Sequence, residues 1–240
     1  MKTQLALAFL FLTLSAPAQD QAVVQGKLAR SADDYLTRCE AFGFSGTVLV
    51  ESQGQVILEK AYGFADRATG VANEVDTLFD LGSLTKQFTA AAVLCLEQDK
   101  KLKTSDRLGE FFENVPEEMA KIELHHLLNH TSGLPRADNG IGSVLQDREE
   151  FLKTIFSCSL HSKPGKSFVY SNIGYDLLAA VVEVASEHSF EDFCRERLFA
   201  PAKMTSTDFR GGRVLDDAKS AFGHAEPIVL SLPGSTIQGE

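Results

Sequence analysis

Ser83-Leu84-Thr85-Lys86 and Tyr170-Ser171-Asn172 carry the groups of this sequence best suited to chemistry. A serine hydroxyl is a weak nucleophile at neutral pH until a neighbouring base takes its proton. Lys86 lies three residues past Ser83, on the same face of a helix and within reach. A lysine amine accepts a proton only where desolvation or nearby cations weaken its hold on one, and the start of a buried helix offers such a setting. Tyr170 adds a second acid/base group, with the Asn172 amide beside it. Together these residue types could carry acyl transfer through a serine ester.

The Ser83–Lys86 spacing decides nothing by itself, because roughly one S-x-x-K match is expected by chance in a chain of this size. Taken alone, Ser83 reads as a helix cap and Lys86 as a solvated first-turn residue. Placement raises the weight of both motifs. Phe88 to Leu96 and Ile173 to Ala185 are apolar almost all round, which predicts helices buried on every side, and each motif stands at the start of one. If those helices pack together, their N-termini bring partial positive charge and spare N–H groups to one cleft. That cleft would favour an anionic substrate group and hold Tyr170 close to its phenolate form. The bland reading makes Tyr170 an aromatic with a satisfied hydroxyl and Asn172 a helix cap.

A third constellation, His130-Thr131-Ser132-Gly133-Leu134-Pro135, follows the helical Leu124-His125-His126-Leu127-Leu128. His126 and His130 have i, i+4 spacing, but no Glu stands between them as H-E-x-x-H requires, and adjacent His125 and His126 point apart on a helix. No metal site and no cofactor are expected.

The elements that must position these groups run as helix, hairpin, then a long helical block. An amphipathic helix is predicted over 28–41, with Leu28, Ala32, Tyr35 and Leu36 on its apolar face. Two β-rich runs, Phe44 to Glu51 and Gln55 to Tyr62, flank the turn Ser52-Gln53-Gly54 and predict a hairpin. Polar, Gly-bearing sequence follows to about Thr77. Further helices are predicted through Ile122 to Leu128, from Arg148 to Phe156, and from near Ser189. No linker separates independent domains.

Composition bounds the rest. The chain has 240 residues, 44% of them hydrophobic, enough to bury a real core. A net charge of −10 argues against nucleic acid and anionic membranes as partners. Residues 1–18 read as a secretory signal peptide: Lys2, an apolar run from Leu5 to Leu14, and the small-residue site Ala16-Pro17-Ala18. No cysteine follows that site to take a lipid anchor, so a secreted or periplasmic protein comprising residues 19–240 is expected. Cys39, Cys95, Cys158 and Cys194 would then meet an oxidising compartment. Three full pairings are possible, although Cys95, inside an apolar run, reads better as a buried free thiol.

From about residue 30 to about 225 the sequence resembles the serine β-lactamase and penicillin-binding superfamily, in its class C-like branch of β-lactamase-related hydrolases, esterases and D-amino-acid peptidases. The resemblance rests on Gly63-Phe64-Ala65-Asp66, Thr77-Leu78-Phe79, Gly82 to Thr89, His126 to Leu134, and Tyr170-Ser171-Asn172-Ile173-Gly174-Tyr175. It implies an α+β, β-lactamase/transpeptidase-like fold: an N-terminal helix and the hairpin of an antiparallel sheet, plus a large all-helical block. It also implies that Ser83 is acylated, that Lys86 accepts its proton, and that Tyr170 activates it and shuttles the proton. Asn172 would hold Lys86 and the substrate amide, the Ser83 N–H would be one oxyanion donor, and the His130–Gly133 loop would buttress the wall without chemistry.

In that family a C-terminal strand supplies the other oxyanion donor and a Lys or His that meets the substrate. Phe222-Gly223-His224 resembles the segment before that strand, and no strand pattern follows it. The C-terminal strands of the sheet are therefore expected to be absent, which leaves three explanations: a truncated longer enzyme, the reading favoured; an edge completed by another chain, with self-association through it; or a degenerate product. Losing an oxyanion donor costs about 10²–10³ in rate. The expected function is a serine hydrolase acting on β-lactams, D-amino-acid peptides or small esters. The rival is a non-catalytic binding or scaffold protein that keeps the helical part.

Overall fold

A computed structural model of the chain describes residues 22–136, 148–209 and 220–221. The chain divides into two compact units, one of residues 1–80 and 215–240, the other of residues 81–214. The signal-peptide reading of residues 1–18 and the Phe222-Gly223-His224 segment lie outside the described residues.

In the first unit, strands β2 (Gly46–Ser52) and β3 (Gln55–Tyr62) form an antiparallel hairpin with register Gly46↔Tyr62 to Ser52↔Gln55. The turn residues Gln53 (φ 53) and Gly54 (φ 74) are both left-handed, as the tight hairpin turn matching strand twist requires. A short strand β1 (Val23–Val24), not legible beforehand, pairs with β3 on its other side, so the sheet order is β1-β3-β2. Strands β4 (Phe64–Asp66) and β5 (Val71–Ala72) make a small second hairpin within the polar, Gly-bearing stretch that follows β3. Beyond it the Ala221 N–H donates to Leu78 O at 2.8 Å.

Helix α1 (Gly26–Glu40) packs on β3, but not with the face expected. Leu28 and Tyr35 are exposed, whereas Ala29 is buried and Ala32, Asp33 and Leu36 are partly buried. A part-buried polar clamp accompanies this rotation. Asp33 Oδ1 accepts from Lys60 Nζ at 2.6 Å and from the Tyr62 hydroxyl at 3.0 Å. The Lys60 hydrogen bond, helped by Tyr62, holds the Asp33 carboxyl below its usual range. Burial and then Asp33 push the Tyr62 phenol well above its own.

The second unit is helical: α2 (Lys86–Gln98), α3 (Glu117–Ala120), α4 (Leu124–Leu128), α5 (Arg148–Phe156), α6 (Asn172–Ser186) and α7 (Phe190–Cys194). Its centre is α6, which packs against α2, α4 and α7. Ile173, Leu177, Leu178, Val181 and Val182 are all buried there, at spacings that give one broad apolar face. They meet Ala92, Val93 and Leu96 of α2 and Leu124 and Leu127 of α4 in one core. Neither long helix is enclosed all round, contrary to expectation: Leu94 is 52% exposed and Val184 49%. Each lies on the side of its helix away from this core, and a run of apolar letters cannot show which members face in. Glu187, at φ 65, ends α6 with a left-handed cap whose N–H donates to Glu183 O, and Ser189 then caps α7.

All four cysteines are free. Cys95 is only partly buried, and the buried thiol is Cys194, pushed up to about 12 mainly by burial. Among the described residues no helix is long and apolar enough to cross a membrane.

Candidate active site in the helical unit

Ser83 sits in a 3-10 turn, Gly82–Thr85, that leads directly into α2. Residues three apart eclipse in a 3-10 turn, so Ser83 and the first α2 residue, Lys86, stand in line. Gly82 enters the turn at φ 49, in the left-handed region that glycine adopts without strain. Ser83 is therefore not the cap of a buried α-helix; it is exposed, one turn ahead of α2.

The tripeptide before α6 works by alternation. Ser171 is extended (φ −133, ψ 119), so its neighbours point opposite to it. Ser171 turns inward, 1% exposed, accepts from the Gly174 N–H at 3.3 Å and donates to Pro135 O at 3.0 Å. It is the N-cap of α6, and Asn172, read as a possible cap, is instead the first helical residue. Tyr170 and Asn172 consequently face the other way, toward Ser83 and Lys86.

There the four residues singled out in the sequence meet. Tyr170 Oη and Ser83 Oγ are 2.7 Å apart, and Lys86 Nζ donates to Asn172 Oδ1 at 2.8 Å. The Lys86 ammonium also lies 5.0 Å from the Tyr170 ring centroid and 5.5 Å from that of Tyr175. A cation over an aromatic face is attracted by it and favours a phenolate beside it. Hydrogen bonding from Lys86, then from Ser83, with the Lys86 and Arg136 charges, holds the Tyr170 phenol below its ordinary value. Burial and then the nearby Tyr170 both raise the Tyr175 phenol, whose hydroxyl donates to Leu128 O at 3.0 Å. Asp176, one turn past Asn172, is raised by burial against the pull of Lys86 and Arg148.

The sequence reading gave the His130–Gly133 loop only a buttressing part, and the structure gives it more contacts than that. The His130 ring stacks on Tyr170 at 4.5 Å and on Tyr175 at 5.1 Å, with Phe168 edge-on at 5.8 Å. Backbone bonds zip the loop to the segment leading into Tyr170: Val169 N to His130 O, Gly165 N to Thr131 O, and His161 N to Gly133 O, each 2.8 Å. A serial His-Thr-Ser-Gly signal contains no hint of a ring stack 40 residues on.

Glu123, His125 and His126 bring potential metal donors within 4.8 Å of one another. The His125 and His126 rings, expected to point apart, lie 4.1 Å from one another; His126 Nδ1 accepts the Glu123 N–H at 3.2 Å, and the Glu123 side chain caps the N3 position of α4. His130 is not part of this group. A groove of about 490 Å³ between Phe111, Phe112, Leu152 and Phe156 shares no residue with the Ser83 site.

Comparison with known proteins gives the same region of sequence and the same fold. The β-lactamase family model matches residues 34–226. Penicillin-binding protein 4* of Bacillus subtilis is 34% identical over 206 residues, 80% of this chain and 45% of its own length. The solved penicillin-binding protein of Bacillus halodurans is 30% identical, with a TM-score of 0.66 over 77% of this chain and 58% of that one. The D-amino acid amidase of Ochrobactrum anthropi, solved with D-phenylalanine, is 25% identical, with a TM-score of 0.72 over 82% and 56%. The chain spans less than half the length of the curated relatives it matches.

Proposed function

The chain belongs to the β-lactamase family, within the serine β-lactamase and penicillin-binding superfamily, and on that premise we propose that it is a serine hydrolase working through an acyl-enzyme on Ser83. The observation that carries this reading is the 2.7 Å contact of Tyr170 Oη with Ser83 Oγ, made beside an ammonium that lowers the phenol's proton affinity. Tyr170, as phenolate, takes the Ser83 proton, the part the resemblance gave to Lys86, while Oγ forms a bond to the substrate carbonyl carbon. The tetrahedral intermediate collapses as the phenol returns that proton to the departing nitrogen or oxygen. Water then attacks the ester, giving its proton to Tyr170 and restoring Ser83 Oγ–H. Lys86 keeps the phenolate stabilised throughout, Asn172 fixes the ammonium and offers its amide to the substrate, and the Ser83 N–H is one oxyanion donor.

The proposed substrates are D-amino-acid peptides or amides, β-lactams and small esters. The relatives, two penicillin-binding proteins and a D-amino acid amidase, support the first two. Mass spectrometry after exposure to a labelled penicillin or an activated ester tests the reading. One adduct, on Ser83 and absent from Ser83→Ala, supports it; a protein inert to every acylating reagent makes the scaffold reading the better one. We propose further that residues 1–18 are an export leader and 19–240 the mature domain. A mature N-terminus at Gln19, read by sequencing the protein recovered outside the cytoplasm, is the expected result. Association of copies through the sheet edge belongs with the same proposal, and light scattering across a dilution series tests it.

A further inference from the structure

The His130 ring lies against the proposed base, its centroid 4.5 Å from that of Tyr170, and its backbone turns to put it there. It holds φ at 56, a left-handed conformation taken by only a few per cent of non-glycine residues, among which histidine is one of the more frequent. That backbone turn aims the ring back at the segment preceding α6. Nδ1 accepts the Ser171 N–H at 3.2 Å, while the ring faces lie on Tyr170 and Tyr175 at 32° and 36°. An imidazole can accept through Nδ1 only when that nitrogen carries no proton, so the neutral Nε2–H tautomer is the one that fits.

We infer that neutral His130 is a positioning residue: its Nδ1 fixes the backbone next to Tyr170, and its ring sets the plane of the phenol that meets Ser83. Protonation would convert the acceptor into a donor facing the Ser171 N–H. It would also place a second cation near Lys86, which already lies over both tyrosine rings. The charged and titratable groups around His130 are therefore Lys86 from α2, Tyr170 from the segment before α6, and Tyr175 from α6; Arg136 acts on Tyr170 as well. Burial, then the Lys86 charge, disfavours the imidazolium, which keeps the acceptor intact at neutral pH. The inference rests on the serine-hydrolase reading for its kinetic consequence and on geometry alone for its spectroscopic one.

The test follows the intact protein through an acid titration by NMR, reading the His130 ring nitrogens, the Ser171 amide and the Tyr170 ring together. In parallel, the acylation rate constant with an activated ester is measured against pH. The Ser171 and Tyr170 signals are expected to move with the His130 midpoint, below the ordinary imidazole value. The acid limb of log rate is expected to steepen there from slope one, due to Tyr170, to slope two. His130→Asn puts an amide oxygen near the place of Nδ1 and tolerates the left-handed backbone; it should fold, acylate measurably more slowly for want of the ring against Tyr170, and keep slope one throughout. His130→Phe keeps the stack but orphans the Ser171 N–H and should acylate about 10- to 100-fold more slowly. Should that variant fail to fold, His130→Asn decides. Signals of Ser171 and Tyr170 that ignore His130, or a second slope persisting in His130→Asn, overturn the inference. A protein that never acylates, yet shows the coupled titration, removes the hydrolase reading and supports the positioning role.

Discussion

Tyr170 gains its chemistry from two neighbours, one giving charge and the other geometry. Lys86→Met removes the ammonium while keeping most of the stem, so the Tyr170 phenol should titrate at higher pH than in the parent protein. Tyrosinate absorbance against a Tyr170→Phe reference measures this shift directly. Since the phenolate is the proton acceptor, acylation should rise with pH through the Tyr170 midpoint, and that limb should move to higher pH in Lys86→Met. Tyr170→Phe itself should lose about 10²–10⁴ in acylation rate, the usual contribution of a positioned acid/base group. The sequence made all four of these residues legible, yet for unequal reasons. The S-x-x-K spacing is common by chance, and its meaning came from the run of apolar residues after it. Ser171 and Tyr175 were quoted within their motif but given no part, because a cap and a ring contact are defined by partners distant in sequence, Pro135 and His130.

At the scale of elements, the structure hangs on close backbone approaches and a few polar ties. Gly133 has φ +81, and a Cβ there would collide with the Ser162 carbonyl oxygen. Gly133→Ala should therefore cost about 2 kcal/mol or more, seen as a lower urea midpoint, and should disorder the zipper that holds His130 against Tyr170. Asp33→Asn tests the tie between α1 and β3. The Asp33 carboxyl lies below its unfolded value in the folded state, so its contribution is complete above about pH 4 and is lost as pH falls through the lowered value. The variant should lose about 1–2 kcal/mol at neutral pH and show a weaker loss of stability in acid, as denaturant titrations at several pH values would reveal. The hairpin was readable because Gln53-Gly54 has the chemistry of a left-handed turn, and α5 because its charges and apolar residues alternate with helical period over Arg148–Phe156. Strands of two or three residues, such as β1, β4 and β5, carry too little periodicity to be seen. The rotation of α1 was misjudged because hydrophobic lettering cannot weigh a part-buried Asp–Lys–Tyr clamp against an exposed Leu28.

On the scale of the whole molecule, the helical unit is the scaffold that makes a site of residues 87 positions apart, Ser83 and Tyr170. Its core is densest around α6, whose Leu177 has no exposed surface. Leu177→Ala should destabilise the unit by about 2–5 kcal/mol, and in hydrogen exchange the amides of α6 should be the slowest of this unit. The order of helix, hairpin and helical block was readable from hydrophobic period, whereas the α+β, β-lactamase-like class came from the family resemblance. The division into two compact units was not, because no linker composition marks Asp80 from Leu81. All of these arguments converge on whether the hydroxyl at Ser83 becomes covalently modified. Intact-mass and peptide-level mass spectrometry after treatment with a labelled penicillin or activated ester measures it most directly. The account predicts one stoichiometric adduct on Ser83, lost in Ser83→Ala and slowed in Tyr170→Phe and Lys86→Met. Labelling at another residue, or equal labelling with Ser83→Ala, would contradict it.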